Sequence, residues 1–275
     1  MLRLWRDRVA IALCPDRVVL SRISRRWRRS LHATRIIDCE HKANEKAGYA
    51  CIEILRAALR DPQWADSDAY VTLSSHFVHY ALVPWSPHLV LDDEKRSWVK
   101  HHFDDLYGEA TSELEYRWSD EGPDATCVAS AIDGALARGA RDAFDGTSLR
   151  LRSIQPYVMN AFNHGCSRIT NETALLAFPE PGRLCIASVH GGTWRSISSR
   201  QIASDWQADL PHALQREMMI ADPTPSVVFV YASDMKEQEL SDCIGIPVRK
   251  VDFEVTRGYG PAAKRADAVT AECAA

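Results

Sequence analysis

Long apolar runs are missing from this 275-residue chain. The longest, Val9 to Cys14 and Val227 to Ala232, reach about six residues against the roughly 20 that a membrane-spanning helix needs. No spanning helix is expected. The first residues, Met1-Leu-Arg-Leu-Trp-Arg-Asp-Arg, contain no apolar stretch of the kind a secretory signal requires. The eight cysteines (14, 39, 51, 127, 166, 185, 243 and 273) stand singly, without a Cys-x-x-Cys pair or a Cys/His cluster at zinc spacing. That argues against a disulfide framework or a zinc ribbon and points to folding in a reducing cytosol. Also missing are a Gly-x-Ser-x-Gly elbow, a Gly-x-Gly-x-x-Gly loop and a Gly-x4-Gly-Lys-Ser/Thr loop. What is present is material for a core: 46% hydrophobic and 25% charged residues, unlike a chain disordered throughout. The length suits one large domain or two modest lobes.

The formal charge of -4 conceals a separation. Residues 1–35 hold ten arginines against Asp7 and Asp16, net +8, so the other 240 residues carry 23 basic and 35 acidic groups, net -12. The basic part is densest at Arg25, Arg26, Trp27, Arg28 and Arg29. Clustered arginines around an aromatic can pair with phosphate and stack, which suits an anionic lipid surface or a nucleic acid. The same residues also suit a solvated hairpin loop paired with the acidic body.

Arg8 to Leu13 reads as a strand, Cys14-Pro15-Asp16-Arg17 as a turn and Val18 to Ser24 as the returning strand. Ser30 to Ile37 supplies a third strand and Asn44 to Arg60 a helix stopped by Asp61-Pro62; Ala69 to Leu73 and Phe77 to Val83 are further strands. The order then returns. Glu172 to Phe178 and Arg183 to Val189 flank the turn Glu180-Pro181-Gly182-Arg183, Thr193 to Ser199 completes the meander, and Ser204 to Ile220 is helical around Pro211. Pro225 to Tyr231 and Ile246 to Val251 close the series. Pro15 and Pro181 thus mark two copies of meander, helix and strand, which implies two similar lobes.

Between the copies, Asp92 to Tyr107 is an amphipathic helix with Val99, Phe103 and Leu106 facing in and Asp92-Asp93-Glu94 at its positive end. Strands at Glu113 to Trp118 and Thr126 to Ala131, a helix at Gly134 to Phe144 and a strand at Leu149 to Ile154 follow. The expected division is a first lobe over 1–165 with an α+β insert at 86–131, a second lobe over 166–254, and a poorly ordered tail over 255–275.

Two duplicated lobes of this order resemble the actin-like ATPase superfamily. Tyr80-Ala-Leu-Val-Pro-Trp85, followed by the helix containing Arg96-Ser-Trp-Val-Lys-His-His-Phe103, is similar to an element of the PilM, GspL and MshI proteins. These are cytoplasmic components of type IV pilus and type II secretion assembly. Ser153-Ile-Gln-Pro-Tyr-Val-Met-Asn-Ala-Phe162 resembles the PilM segment that joins the lobes. The resemblance implies an α/β, actin-like (ribonuclease H-like) two-lobe fold and a cytoplasmic place at the inner face of a bacterial inner membrane. It also implies a partner, the cytoplasmic tail of a bitopic inner-membrane protein. Trp85, Trp98 and Phe103 lie where the resemblance puts that tail, with core packing as the alternative use of these aromatics.

In nucleotide-binding members of the superfamily each phosphate hairpin carries an Asp two residues before a Gly. Those positions fall here on Ala12 and Cys14, then on Ala177 and Pro179. Pro15 and Pro179 also remove N–H donors that a phosphate would use. Asp16 and Glu180 are neighbouring carboxylates that read as substitutes or as ordinary turn residues, and Gly182 completes the second turn. Only one helical stretch separates the second meander from its next strand, leaving little chain for an adenine-holding subdomain. The expectation is a pseudo-ATPase scaffold without ATP, magnesium or another cofactor, and without a DNA partner. The alternatives are a working ATPase or kinase of the same superfamily, and a nucleic-acid or lipid binder acting through Arg25 to Arg29.

The remaining polar groups read as structural. His76 and His79 fall on opposite faces of a strand, His101 and Asp105 share a helix face without a third ligand, and Ser74-Ser75-His76 reads as polar residues at a strand end.

Overall fold

The computed structural model describes residues 6–24, 30–39, 48–84, 86, 89, 91–108, 113–119, 126–165, 169, 172–232 and 235–252. In chain order the first half contains β1 (Arg8–Leu13), β2 (Arg17–Ser24), β3 (Ser30–Asp38), α1 (Tyr49–Ala58), β4 (Asp68–Leu73) and β5 (Val78–Val83). Then come α2 (Asp92–Tyr107), β6 (Leu114–Trp118), β7 (Cys127–Asp133), α3 (Gly134–Asp142), β8 (Arg150–Pro156) and α4 (Tyr157–Gly165). The second half contains β9 (Thr173–Glu180), β10 (Arg183–His190), β11 (Thr193–Gln201), α5 (Trp206–Ile220), β12 (Val227–Val230), α6 (Glu237–Ile244) and β13 (Val248–Lys250).

Two five-stranded sheets repeat one topology. The first has the order β3-β2-β1-β4-β8 and the second β11-β10-β9-β12-β13. In each, an antiparallel meander gives way to two strands parallel to its first. The registers Ile11↔Val71 and Leu176↔Phe229 mark the same step in the two copies.

Apolar alternation explains how the sheets stack. In β9, Ala174, Leu176 and Phe178 enter a core shared with Ile11, Leu13, Val71 and Leu73 of the first sheet. Leu175 and Ala177 point the other way, against Trp206, Leu210 and Leu214 of α5. A strand covered on both faces has to be apolar at every position, as Ala174 to Phe178 is. The shared core runs from lobe to lobe through Tyr157, Val158 and Ala161 of α4. There the Tyr157 hydroxyl donates to the Tyr231 carbonyl at 2.9 Å.

A third sheet, β5-β7-β6, lies under α2. Its own cluster joins Ala81, Val83, Val99, Phe103, Tyr116, Ala129 and Ala131. The strand expected at Phe77 to Val83 in the first lobe is β5 of this sheet, pairing with β7 from Val78↔Ile132 to Val83↔Cys127. A turn of 3-10 helix at Ser75–Phe77, capped by the Ser74 side chain, redirects the chain out of the first sheet.

Other differences are local. The helix expected at Asn44 to Arg60 is described from Tyr49, after Gly48 with φ 110; residues 40–47 lie outside the described residues, as does the tail. Two short helices, α4 and α6, were not expected. The helix expected from Ser204 to Ile220 runs from Trp206 to Ile220, continuous through Pro211. The strand expected to end at Phe178 continues through Pro179 to Glu180. β12 pairs with β9 only as far as Ala177, so the missing N–H of Pro179 interrupts no ladder on that side.

Candidate functional site at the lobe junction

The two hairpin turns singled out by the sequence come to one place. In the first, the Cys14 N–H donates to the Arg17 carbonyl at 2.9 Å, closing the turn. Ala12 and Cys14 are buried, Pro15 is half-buried and Asp16 is exposed beside Arg17. The Cys51 thiol donates to the Cys14 carbonyl at 3.0 Å, so this turn rests on α1. Burial pushes the Cys14 thiol well above its ordinary pKa, and the Glu180 charge adds to the shift.

The second turn is left-handed at Gly182, φ 79, where glycine carries no Cβ penalty. Ala177 and Pro179 are buried in β9, and Glu180 is only 1% exposed. Its two carboxylate oxygens cross to the first lobe: Oε2 accepts from the Ser74 hydroxyl at 2.5 Å and Oε1 from the Ser75 N–H at 2.9 Å. The His76 ring nitrogen Nε2 lies 3.0 Å from the Pro181 carbonyl. Ser74 is itself fixed, its N–H donating to the Leu13 carbonyl at 2.9 Å.

Electrostatics agree with this closure. Burial raises the pKa of Glu180, opposed by the hydrogen bonds from Ser74 and Ser75 and by the Arg183 charge. Burial lowers that of His76, with the Arg183 charge adding and the Pro181 carbonyl opposing. Burial also raises Tyr80 and Tyr157 well above the ordinary tyrosine pKa. In each case burial shifts the balance toward the neutral form.

The aromatics expected to receive a partner separate. Phe103 is fully buried and packs on Tyr116, ring centroids 5.4 Å apart; its place in the core of the third sheet leaves it no face for a partner. Trp98 is half-buried, donates Nε1 to the Pro84 carbonyl at 3.2 Å, and lines an open hollow of about 480 Å³ with Leu89, Asp93, Glu94, Ser97 and His101. Leu91, at the amino end of the same helix, is 62% exposed. Trp85 and the cluster Arg25, Arg26, Trp27, Arg28 and Arg29 lie outside the described residues.

His101 and Asp105 form an exposed i,i+4 pair at 3.6 Å. Among the described residues no group of three His, Cys, Asp or Glu converges as a metal site. No helix among them is long and apolar enough to cross a membrane.

Sequence reasoning reached the two turns and missed what Glu180 does. A carboxylate in a Pro-Glu-Pro-Gly turn looks solvated; only the approach of the Ser74–Phe77 turn, more than a hundred residues away in the chain, buries it.

The duplicated sheets, the helix that joins them and the insert in the first lobe define an actin-like fold. Solved structures similar to this chain carry the same fold. One is a PilM-PilN type IV pilus biogenesis complex, 11% identical over 88% of this chain and 87% of that chain, TM-score 0.66. Another is the cytoplasmic domain of EpsL from Vibrio cholerae, an inner membrane component of the type II secretion system. It is 10% identical over 90% of this chain and 86% of that chain, TM-score 0.55. A third, of unknown function, comes from Bacteroides thetaiotaomicron; it is 10% identical over 91% of this chain and 94% of that chain, TM-score 0.58. No known family model matches the sequence, and no curated protein matches it significantly.

Proposed function

We propose that this chain is a non-catalytic, actin-like scaffold of a bacterial type IV pilus or type II secretion-like assembly. It works in the cytoplasm at the inner membrane, where it binds the cytoplasmic tail of a bitopic partner. The fold it shares with the PilM-PilN complex and the EpsL cytoplasmic domain supports the setting. The observation that carries the non-catalytic reading is the closed lobe junction. Glu180 is sealed against Ser74 and Ser75. Ala12 and Ala177 stand where the resemblance requires the two magnesium-ordering carboxylates. These residues do not fit a magnesium-bound triphosphate. The single helix between β11 and β12, α5, supports a second lobe built without an adenine-holding subdomain.

The hollow beside Trp98 suits an extended tail. A half-buried indole, packed on the core of the third sheet and donating one hydrogen bond, presents part of its ring to the hollow, and aromatic anchors of this kind dominate peptide recognition. Two measurements test the reading. Isothermal titration with Mg-ATP is expected to give no heat, and micromolar binding would overturn the non-catalytic role. Amino-terminal peptides of bitopic membrane proteins encoded beside this gene are expected to bind the chain. Trp98→Ala should weaken that binding by about 10-fold or more, and equal binding by both proteins would remove the docking site.

A further inference from the structure

Glu180 brings a carboxylate into the contact between lobes, where an uncompensated charge is strongly disfavoured. Both its oxygens are met by donors that the first lobe already holds in place. The Ser74 hydroxyl oxygen accepts from the His76 N–H at 3.2 Å, and this caps the 3-10 turn that presents the Ser75 N–H. Ser74 and Ser75 are both fully buried. The donors therefore belong to the fold of the first lobe, while the acceptor arrives on the hairpin of the second. Arg183, paired with Glu180 across the turn, donates to Ser199 at 3.1 Å and adds positive charge nearby.

We propose that Ser74, Ser75 and the turn they form are a carboxylate-binding cradle. Glu180 is its built-in ligand, a latch that holds the second lobe closed on the first. The cradle selects a carboxylate because its two donors, one hydroxyl and one backbone N–H, meet the two oxygens of one group. With the Glu180 side chain removed, it should accept a small free carboxylate in its place. This inference does not depend on the partner tail proposed above; it concerns only how the lobes are held together.

The experiment is thermal unfolding of the full chain in graded sodium acetate, with sodium chloride at equal ionic strength as the reference. Glu180→Ala is expected to lower Tm by about 5 °C, and saturating acetate to restore at least about half of that loss. The wild type and the Ser74→Ala, Glu180→Ala double variant should respond to acetate no more than to chloride. If acetate moves Glu180→Ala no more than the wild type, or if Glu180→Ala melts with the wild type, the cradle is overturned. If Glu180→Ala does not fold, Glu180→Asp, which withdraws the carboxylate by one methylene and leaves the Ser74 cap in place, decides by hydrogen exchange at the Ser75 amide. Exchange about 10-fold faster supports the latch; unchanged exchange overturns it.

Discussion

Glu180 loses hydration on burial, and this outweighs the hydrogen bonds from Ser74 and Ser75 and the Arg183 charge, so its pKa is raised above the ordinary carboxylate value. The pH dependence follows from that direction. Between the ordinary carboxylate pKa and the raised one, the folded state binds more protons than the unfolded state, so this group's contribution to stability falls as pH rises through that window. His76 and His79, both lowered by burial, act with the opposite sign and add stability as pH rises toward the ordinary histidine range. The other ionisable groups around Glu180 are Cys14 from the first hairpin, Tyr80 from β5, Tyr157 from α4, and Arg183 and Cys185 from β10. Glu180→Gln keeps the shape but offers one acceptor oxygen to the two donors, a cost that does not change with pH, and it does not titrate. The variant is expected to gain on the wild type as pH rises above the ordinary carboxylate range. Denaturant midpoints at several pH values measure this, and a constant difference between the two proteins would mean that Glu180 does not titrate in the window.

Helix α2 shows how much of an element its own sequence reveals. Its bounds are expected at Asp92 and Tyr107 and are found there, because three acids mark its start and Gly108 follows its end; Val99 and Phe103 face in as expected, whereas Leu106 is exposed. Helices α4 and α6 were not legible: they run nine and eight residues, too short for a period to emerge. Their formation depends on packing, Tyr157, Val158 and Ala161 against one core and Leu240 and Ile244 against another. β5 was legible as a strand but not as a member of the third sheet, since its partner β7 follows α2 and β6. Residue patterns also left open which aromatics of α2 are buried. Phe103 is and Trp98 is only half-buried, which makes a prediction with two arms. Phe103→Ala empties a fully buried site and is expected to cost about 3–5 kcal/mol, whereas Trp98→Ala, at the half-buried edge of the same cluster, should cost less while weakening tail binding by about 10-fold or more. Denaturant unfolding of the two variants separates these roles; equal losses would place Trp98 in the core as well.

At the scale of the whole molecule, the charge separation and the duplication acquire physical content. Described arginines of the basic opening pair with acids: Arg6 with Asp68 at 3.6 Å, Arg22 with Asp7 at 2.9 Å, and Arg35 with Asp61 at 3.1 Å. Asp68 and Asp61 belong to the acidic remainder, so part of the +8 is matched within the fold. The duplication yields two sheets of identical order whose cores merge, and α4 is where they join. Tyr231, at the end of β12, stacks on Phe178 with centroids 4.5 Å apart and an interplanar angle of 21°. A Cβ at Gly165, the last residue of α4, would lie 2.6 Å from the Tyr231 hydroxyl oxygen and 3.1 Å from its ring. The absence of a side chain there lets the second lobe approach the joining helix. Gly165→Ala is expected to destabilise the chain by about 1–3 kcal/mol through overpacking. Tyr231→Phe removes the atom in closest conflict, so adding it to Gly165→Ala should cost less than it costs in the wild type. A double-mutant cycle measures that coupling. Additive losses would show that α4 and Tyr231 adjust independently, and the lobes would then not be held in register by this contact.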